Sequence, residues 1–451
     1  MSEPPARKLT LLPAVSLNMA MMVGVGPFIT IPLFLATMGG PQAMIGWVLG
    51  AAVAVADGLV WAELAAAFPG SGGTFHFYDA VYGRRPLGRL LKFLFIWQFL
   101  FGAPLELASG AIGLGQYAGY WVGWLKGTAW AIGPWSVARG QVFASLAMLA
   151  ITGLAHRRVD VAGRLMVALW AGMLLTVGWV IAAGLSRFDP ALAFDLPPDA
   201  LRLDGKFGMG LGAALGIAMY DYFGYYQICY MGDEVHDPAR TLPRAVLISA
   251  VAVAMIYLAM NVGILGVVPW RSAIGSPHIA SDFMARRYAG PWPARVVTGM
   301  ILWTGAASTF AGVLGYARVP YAAARSGHFF RGLGRVGARS GVPGRSLLLV
   351  GGLSSLGCLL DLPTVINALL ASRIAVQFGG QIATIIYIWA RPDLMSRLRF
   401  RMPLYPLPAL VALAGWVYVG ATLERPYLIY GAATIVAGVA AFAVWDRRIS
   451  R

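Results

Sequence analysis

Charged residues are scarce in this chain. Asp, Glu, Lys and Arg together make up 12% of its 451 residues, whereas about 25% is usual for a soluble domain. A water-soluble protein of this length could not cover its surface with so few polar side chains. The composition therefore excludes an ordinary soluble enzyme or binding domain, and it favours a protein whose surface is solvated by lipid.

Reactive and metal-binding residues are also few. The two cysteines, Cys229 and Cys358, lie inside apolar segments and indicate no disulfide framework. The five histidines lie in or near predicted loops, and the chain has no His-Glu-x-x-His motif, no Gly-x-Ser-x-Gly motif and no phosphate-binding loop. We therefore expect neither an enzyme nor an ATP-driven pump, and no resident cofactor or metal site.

Acidic residues are outnumbered, with 19 Asp and Glu against 35 Lys and Arg, which gives a net charge of +16. The basic residues form short clusters between apolar blocks rather than a continuous stripe with interleaved aromatic residues. Clusters of this kind orient membrane proteins, because loops rich in Lys and Arg stay in the cytoplasm. The pattern predicts a lipid bilayer as the surroundings and no nucleic-acid partner.

Long hydrophobic runs are what the chain has in abundance. Hydrophobic residues make up 59% of it, and the mean hydropathy is +0.69. The runs recur in blocks of about 20 residues, the length that crosses roughly 30 Å of hydrocarbon. The sequence thus predicts an all-α membrane protein of about twelve transmembrane helices, at 10–36, 42–69, 87–122, 136–155, 160–186, 207–235, 241–268, 292–322, 346–361, 364–390, 404–422 and 427–445.

The alternation of basic and non-basic connections predicts the orientation. With the N-terminus inside, every inner connection is basic, so we expect both termini in the cytoplasm of a multi-pass protein of the plasma (inner) membrane. The predicted organisation is a cytoplasmic stub, a first five-helix repeat, a second five-helix repeat, two additional helices and a cytoplasmic tail, at 1–9, 10–186, 207–390, 404–445 and 446–451.

Two of the predicted spans are interrupted. The first contains Gly24-Val25-Gly26-Pro27, and the sixth contains the run from Tyr220 to Gly224. Gly and Pro weaken a helix, and the two interruptions stand at the start of the two five-helix groups. Five is odd, so the second group enters the membrane from the opposite face. Matched interruptions of this kind indicate a 5+5 inverted repeat with discontinuous helices 1 and 6 and a transporter's midplane site.

Three motifs carry a resemblance to a known family. They are GVGPF at 24–28, AELAAAFPGSGGTFHFY at 62–78 and GDEVHDPARTLPRA at 232–245, with a weaker match, ARVPYAAARSGHFF, at 317–330. Together they resemble the amino acid–polyamine–organocation (APC) superfamily of secondary transporters. The resemblance implies an inverted five-helix repeat around a substrate site at the two breaks. The Gly-Pro-Phe sequence at the first break is similar to polyamine-type members.

These arguments select the candidate site residues. The substrate-binding candidates are Gly24, Val25, Gly26, Pro27, Phe28, Tyr220, Asp221, Tyr222 and Gly224. An acid at membrane depth is costly and is a functional candidate by default, so Asp221 is expected to hold a substrate ammonium or a coupling proton, with capping of a half-helix as the alternative. Candidates for a cavity or coupling role are Glu106, Ser308 and Thr309, and the coupling ion is H⁺ or Na⁺.

The predicted function is secondary active transport of a small amine-bearing solute, an amino acid or a related amine, by alternating access between helices 1 and 6. A polyamine or organocation transporter is the alternative, as is a non-transporting sensor or channel on the same fold. The sequence leaves open the solute, the coupling ion, the choice between uniport, symport and exchange, and the oligomeric state.

Overall fold

The computed structural model describes residues 9–70, 72–83, 85–132, 135–157, 162–335 and 343–449. The predicted stub, apart from Leu9, and the last two residues of the tail lie outside them. The described chain is almost wholly helical. Its helices are α1 (Leu11–Met22), α2 (Gly26–Met38), α3 (Met44–Ala67), α4 (Thr74–Tyr82), α5 (Pro86–Trp121), α6 (Arg139–Arg157), α7 (Ala162–Leu185), α8 (Pro190–Ala193), α9 (Gly205–Tyr222), α10 (Pro238–Leu265), α11 (Trp270–Ile274), α12 (Ile279–Arg287), α13 (Pro291–Tyr316), α14 (Arg318–Arg325), α15 (Gly344–Gly357), α16 (Leu362–Arg373), α17 (Gly380–Trp389), α18 (Pro392–Met395), α19 (Leu407–Thr422) and α20 (Arg425–Ile449).

Short elements connect the long helices. They are the antiparallel hairpin of β1 (Thr128–Ile132) and β2 (Trp135–Ala138), the 3₁₀ turns Pro41–Ala43, Gly123–Lys126, Gln227–Tyr230 and Arg331–Gly334, and a π-helical segment, Ile374–Gly379, between α16 and α17. The hairpin occupies the start of the helix predicted at 136–155, so that helix begins at Arg139. The span predicted at 292–322 is divided into α13 and α14.

The predicted interruption of the first span is confirmed. Helix α1 ends at Met22, α2 begins at Gly26, and the two axes are bent by 52°. Pro27 occupies the first turn of α2, where its missing N–H costs no helical hydrogen bond. The sequence Gly-Val-Gly-Pro therefore both ends one helix and starts the next.

The sixth predicted span, 207–235, is wrong beyond Tyr222. Helix α9 ends there, Gly224 has a φ of +110°, and the chain continues as the 3₁₀ turn Gln227–Tyr230. Only glycine adopts such a φ without strain. The continuous α-helix expected after the break is thus replaced by a tight turn.

Membrane-spanning length was assessed for the described helices. Six are long and apolar enough to cross a membrane, and the bent pair α1–α2 makes a seventh. Helix is also present within each of the other predicted spans. The chain is therefore a multi-helix membrane protein, while the number of twelve crossings and the inverted repeat stay predictions.

Helix α5 is the longest helix, with 36 residues, and it packs against α6, α13, α15 and α16. Helix α3 packs against α9 and α10, α1 packs against α10, and α2 packs against α9. The α1–α2 break, the end of α9, α5 and α13 consequently converge in the interior of the helix bundle.

Candidate functional site

A cavity of about 100 Å³ lies where α1 gives way to α2. Several water molecules or a small solute fit a space of this size. Eight predicted site residues line it, which are Gly24, Val25, Gly26, Glu106, Tyr220, Asp221, Ser308 and Thr309. The structure thus brings together residues of four elements that are far apart in sequence.

The start of α2 faces this cavity without a protein cap. In the described structure no side chain accepts a hydrogen bond from its first backbone N–H groups. Helix N-termini leave such groups unsatisfied and carry a partial positive charge. The break can therefore bind an anionic group of a ligand, although Pro27 lacks an N–H and the N–H of Phe28 already donates to the carbonyl of Val25 at 3.0 Å.

Asp221 is the acid that meets the break. Its carboxylate is buried, and Oδ2 accepts a 2.6 Å hydrogen bond from the hydroxyl of Thr30. Oδ1 has no hydrogen-bond partner among the described residues, and a methyl group at Gly26 would lie 2.5 Å from it. Within the described chain, the hydrogen bond that Asp221 accepts comes from a side chain and not from a helix N–H, so the capping alternative gains no support.

Tyr220 connects α9 to α5 beside the cavity. Its hydroxyl donates to Ser109 Oγ at 2.7 Å, and Ser109 donates in turn to the carbonyl of Glu106 at 2.6 Å. A ring held in this way forms a fixed wall of the site. Ser109 was not predicted, since a lone serine in an apolar helix gives no sequence signal.

Four predicted residues lie outside the lining of this cavity, which are Pro27, Phe28, Tyr222 and Gly224. Tyr222 points into an aromatic cluster with Trp47 and Tyr257, with ring centroids 5.6 Å apart in both cases. Successive helical residues diverge by about 100°, so Tyr222 cannot share the direction of Asp221. Phe28 is buried, and Gly224 lies close to α1, since a methyl group at Gly224 would lie 3.0 Å from the backbone of Met21.

The two hydroxyl residues predicted on α13, Ser308 and Thr309, differ in their hydrogen bonds. Ser308 Oγ donates to the carbonyl of Gly305 at 3.2 Å, within its own helix. The hydroxyl of Thr309 is buried and, in the described part of the chain, has no partner. The cavity is thus lined by two unpartnered polar atoms, Thr309 Oγ1 and Asp221 Oδ1.

Two residues that the sequence analysis missed hold the breaks together. Tyr257 of α10 donates to the carbonyl of Met22 at 2.7 Å and lies 3.3 Å from the carbonyl of Asp221. Asn18 of α1 donates to the carbonyl of Tyr225 at 2.7 Å and accepts from the N–H of Ile228 at 2.8 Å. These side chains satisfy backbone groups that the broken helices leave open.

Glu106 lines the cavity and is paired behind it with Arg373. Arg373 Nη2 lies 2.5 Å from Glu106 Oε2, and the hydroxyl of Tyr316 donates to Oε1 at 2.7 Å. Arg373 lies within the span predicted at 364–390 but was not among the candidate site residues. An Arg inside a predicted membrane span indicates a paired or functional residue, because such residues are rare without a partner.

A second cavity of about 930 Å³ lies further along α2 and α5. Its lining includes Ile29, Gln116, Lys126 and His278. Burial and the nearby Lys126 lower the pKa of the His278 imidazole. Val25, which lines the first cavity, packs closely against α5, since a methyl group at Gly113 of α5 would lie 2.9 Å from its side chain.

No group of three His, Cys, Asp or Glu side chains in the described ranges is placed to hold a metal ion. A carboxylate, two hydroxyls and an open helix N-terminus are what the site offers a ligand. This combination suits a small solute that carries an ammonium group and an anionic group.

Comparison with known proteins identifies the family. The family model described as amino acid permease matches residues 9–444. An uncharacterized transporter of Mycobacterium tuberculosis is 30% identical, over 98% of this chain and 92% of that protein. The serine/threonine exchanger SteT of Bacillus subtilis is 24% identical over 97% and 96%, and the Asc-type amino acid transporter 1 of Homo sapiens is 25% identical over 97% and 82%. This chain belongs to the amino acid permease family of the APC superfamily and is a multi-pass membrane protein of amino acid transport.

Proposed function

We propose that the chain is a secondary active transporter of small zwitterionic amino acids, with the cavity at the α1–α2 break as its substrate site. The observation that carries the proposal is the unpartnered Oδ1 of Asp221 beside the uncapped start of α2. A buried ionised carboxylate without a partner is costly, and a substrate ammonium would satisfy it. The substrate carboxylate would bind the N-terminus of α2.

Alternating access fits the placement of the two cavities. The larger one is lined by Ile29, Pro32 and Leu33, further along α2 than Gly26, which lines the smaller one. On the other side Leu9 is paired with the loop after the 3₁₀ turn, where its N–H donates to the carbonyl of Glu234 at 3.1 Å. With the predicted orientation, this arrangement corresponds to a state that faces outward and is closed toward the cytoplasm.

The proposed architecture completes the mechanism. Twelve crossings in a 5+5 inverted repeat would place the α1–α2 break and the end of α9 on opposed halves of the molecule, so that rocking of one half exposes the site to alternate sides. The coupling ion, H⁺ or Na⁺, is not assigned by this proposal. Asp221 can hold a proton when the site is empty, which would favour H⁺.

Serine is the first probe, because one relative bears the name of a serine/threonine exchanger. In proteoliposomes, uptake of radiolabelled serine or alanine should be faster when the same amino acid is preloaded inside. A channel or a sensor on this fold would show no such trans-stimulation.

Asp221→Asn tests the site itself. The variant keeps the shape and removes the charge, so amino acid affinity should fall by about ten- to a hundredfold, the value of a charge-assisted hydrogen bond of about 1.5–3 kcal/mol. Tyr222→Phe is the matched control, since its hydroxyl makes only a 3.4 Å contact with the carbonyl of Trp47, away from the cavity. Unchanged affinity in Asp221→Asn would remove this carboxylate from the binding site.

A further inference from the structure

The ion pair between Glu106 and Arg373 has no part in the proposed binding of a zwitterion. Only 2% of the Arg373 side chain is exposed, against 19% for Glu106. Besides its contact with Glu106, the guanidinium donates to the hydroxyl of Tyr226 at 3.0 Å and lies 5.2 Å from the ring of Phe223. Arg373 is therefore held in the bundle interior by one charge and several aromatic neighbours.

The helices are shaped to hold this guanidinium. A methyl group at Gly102 of α5 would lie 3.0 Å from Arg373 Nε, so the absence of a side chain there leaves the space that the guanidinium occupies. The π-helical segment Ile374–Gly379 begins directly after Arg373. Segments of this type distort a helix at a cost and occur frequently at functional sites.

The positions of the Glu106 and Arg373 charges relative to the cavity determine which charge a solute meets. Glu106 lines the cavity, and the guanidinium of Arg373 lies behind it, outside the lining. A solute in the cavity therefore meets the Glu106 carboxylate with its charge already neutralised. Among the described residues that line the cavity, Asp221 is then the one carboxylate that keeps an oxygen without a partner.

We propose that Arg373 is a specificity-determining residue, which neutralises Glu106 and thereby restricts the cavity to solutes with a single ammonium group. This inference rests on the proposed function and names the substrate class of the same site. With Arg373 present, a second ammonium group finds no free carboxylate and is desolvated without compensation. Neutral amino acids are accepted, and diamines such as putrescine are rejected.

Two variants of the full-length protein should change the selectivity in opposite directions. In Arg373→Gln, Glu106 is left without a counter-charge, so the affinity for putrescine should rise by about ten- to a hundredfold. In Glu106→Gln, Arg373 is left without a counter-charge, so the affinity for aspartate should rise instead. The double variant Glu106→Gln/Arg373→Gln should show neither gain, and Arg373→Lys, which keeps the charge, should retain the wild-type preference.

Binding of serine, alanine, putrescine and aspartate is measured on purified protein in detergent by isothermal titration. Opposite shifts in the two single variants support the inference. Wild-type binding of serine or alanine together with unchanged selectivity in both variants overturns the inference and leaves the proposed function standing. Failure of the wild type to bind any amino acid overturns both. Should Arg373→Gln not fold, the Glu106→Gln variant decides, because absence of an aspartate gain contradicts the proposal.

Discussion

At the scale of single residues, the two glycines of the first break are not equivalent. A methyl group at Gly26 would lie 2.5 Å from Asp221 Oδ1 and 3.7 Å from the ring of Tyr220. A methyl group at Gly24 would lie 3.7 Å from Ser308 Oγ, which is ordinary van der Waals contact. Gly26 permits the close approach of α2 to α9, while Gly24 leaves free space in the cavity wall.

We therefore expect Gly26→Ala to reduce amino acid uptake by at least about tenfold, because the added methyl displaces the Asp221 carboxylate and closes the ammonium site. Gly24→Ala is the matched control and should cause a much smaller loss. Both variants should be present in the membrane at wild-type levels. Equal uptake by the two would show that the contact between α2 and α9 is not part of the site.

The residues at the end of α9 show the limit of sequence interpretation at this scale. Asp221 was recognised because an acid at membrane depth is conspicuous, and the structure places it at the break. Its neighbour Tyr222 was included on proximity in sequence, yet its side chain points away from the cavity into an aromatic cluster. The direction in which a side chain points from a helix depends on which face of that helix is buried in the bundle. The identity of the neighbouring residues does not specify that face.

At the scale of elements, Asn18 joins α1 to the turn that follows α9. Its side chain is fully buried and bonds the carbonyl of Tyr225, the N–H of Ile228 and the hydroxyl of Ser249. A broken helix depends on such a side chain, because the groups that a continuous helix would satisfy are otherwise unpaired in an apolar surrounding.

Asn18→Leu should therefore destabilise the protein by about 1–3 kcal/mol for each backbone group left unpaired. Ser249→Ala serves as the control, since it removes one side-chain bond to Asn18 and leaves both backbone bonds in place, at a cost of about 1 kcal/mol. Thermal denaturation in detergent measures the difference. A melting temperature of Asn18→Leu equal to that of Ser249→Ala would contradict this role.

At the scale of the whole molecule, the predicted orientation of the chain in the membrane can be tested at two connections that the structure describes. Gly127 lies in the connection between α5 and β1, and Gly332 lies in the 3₁₀ turn after α14. The charge pattern places Gly127 outside and Gly332 in the cytoplasm. The two native cysteines are buried, which keeps background labelling low.

In intact cells, a membrane-impermeant maleimide should label Gly127→Cys and should label Gly332→Cys only after the cells are permeabilised. Labelling of both in permeabilised cells controls for accessibility. The reverse pattern in intact cells would overturn the orientation, and with it the proposed outward-facing state and the assignment of the two breaks to opposed repeats.

The sequence by itself determined the membrane character, the family motifs, the break at Gly24–Pro27 and the acid at Asp221. Each of these follows from local composition or from a residue that is costly where it stands. The tertiary structure alone decided that Arg373 pairs with Glu106, that Tyr257 joins the two breaks, and that a 3₁₀ turn and not a further α-helical segment follows α9. These features depend on residues that lie 36 to 267 positions apart and meet only when the helices pack. Hydrophobic periodicity and motif spacing describe one segment at a time, so they do not specify which buried polar groups become partners.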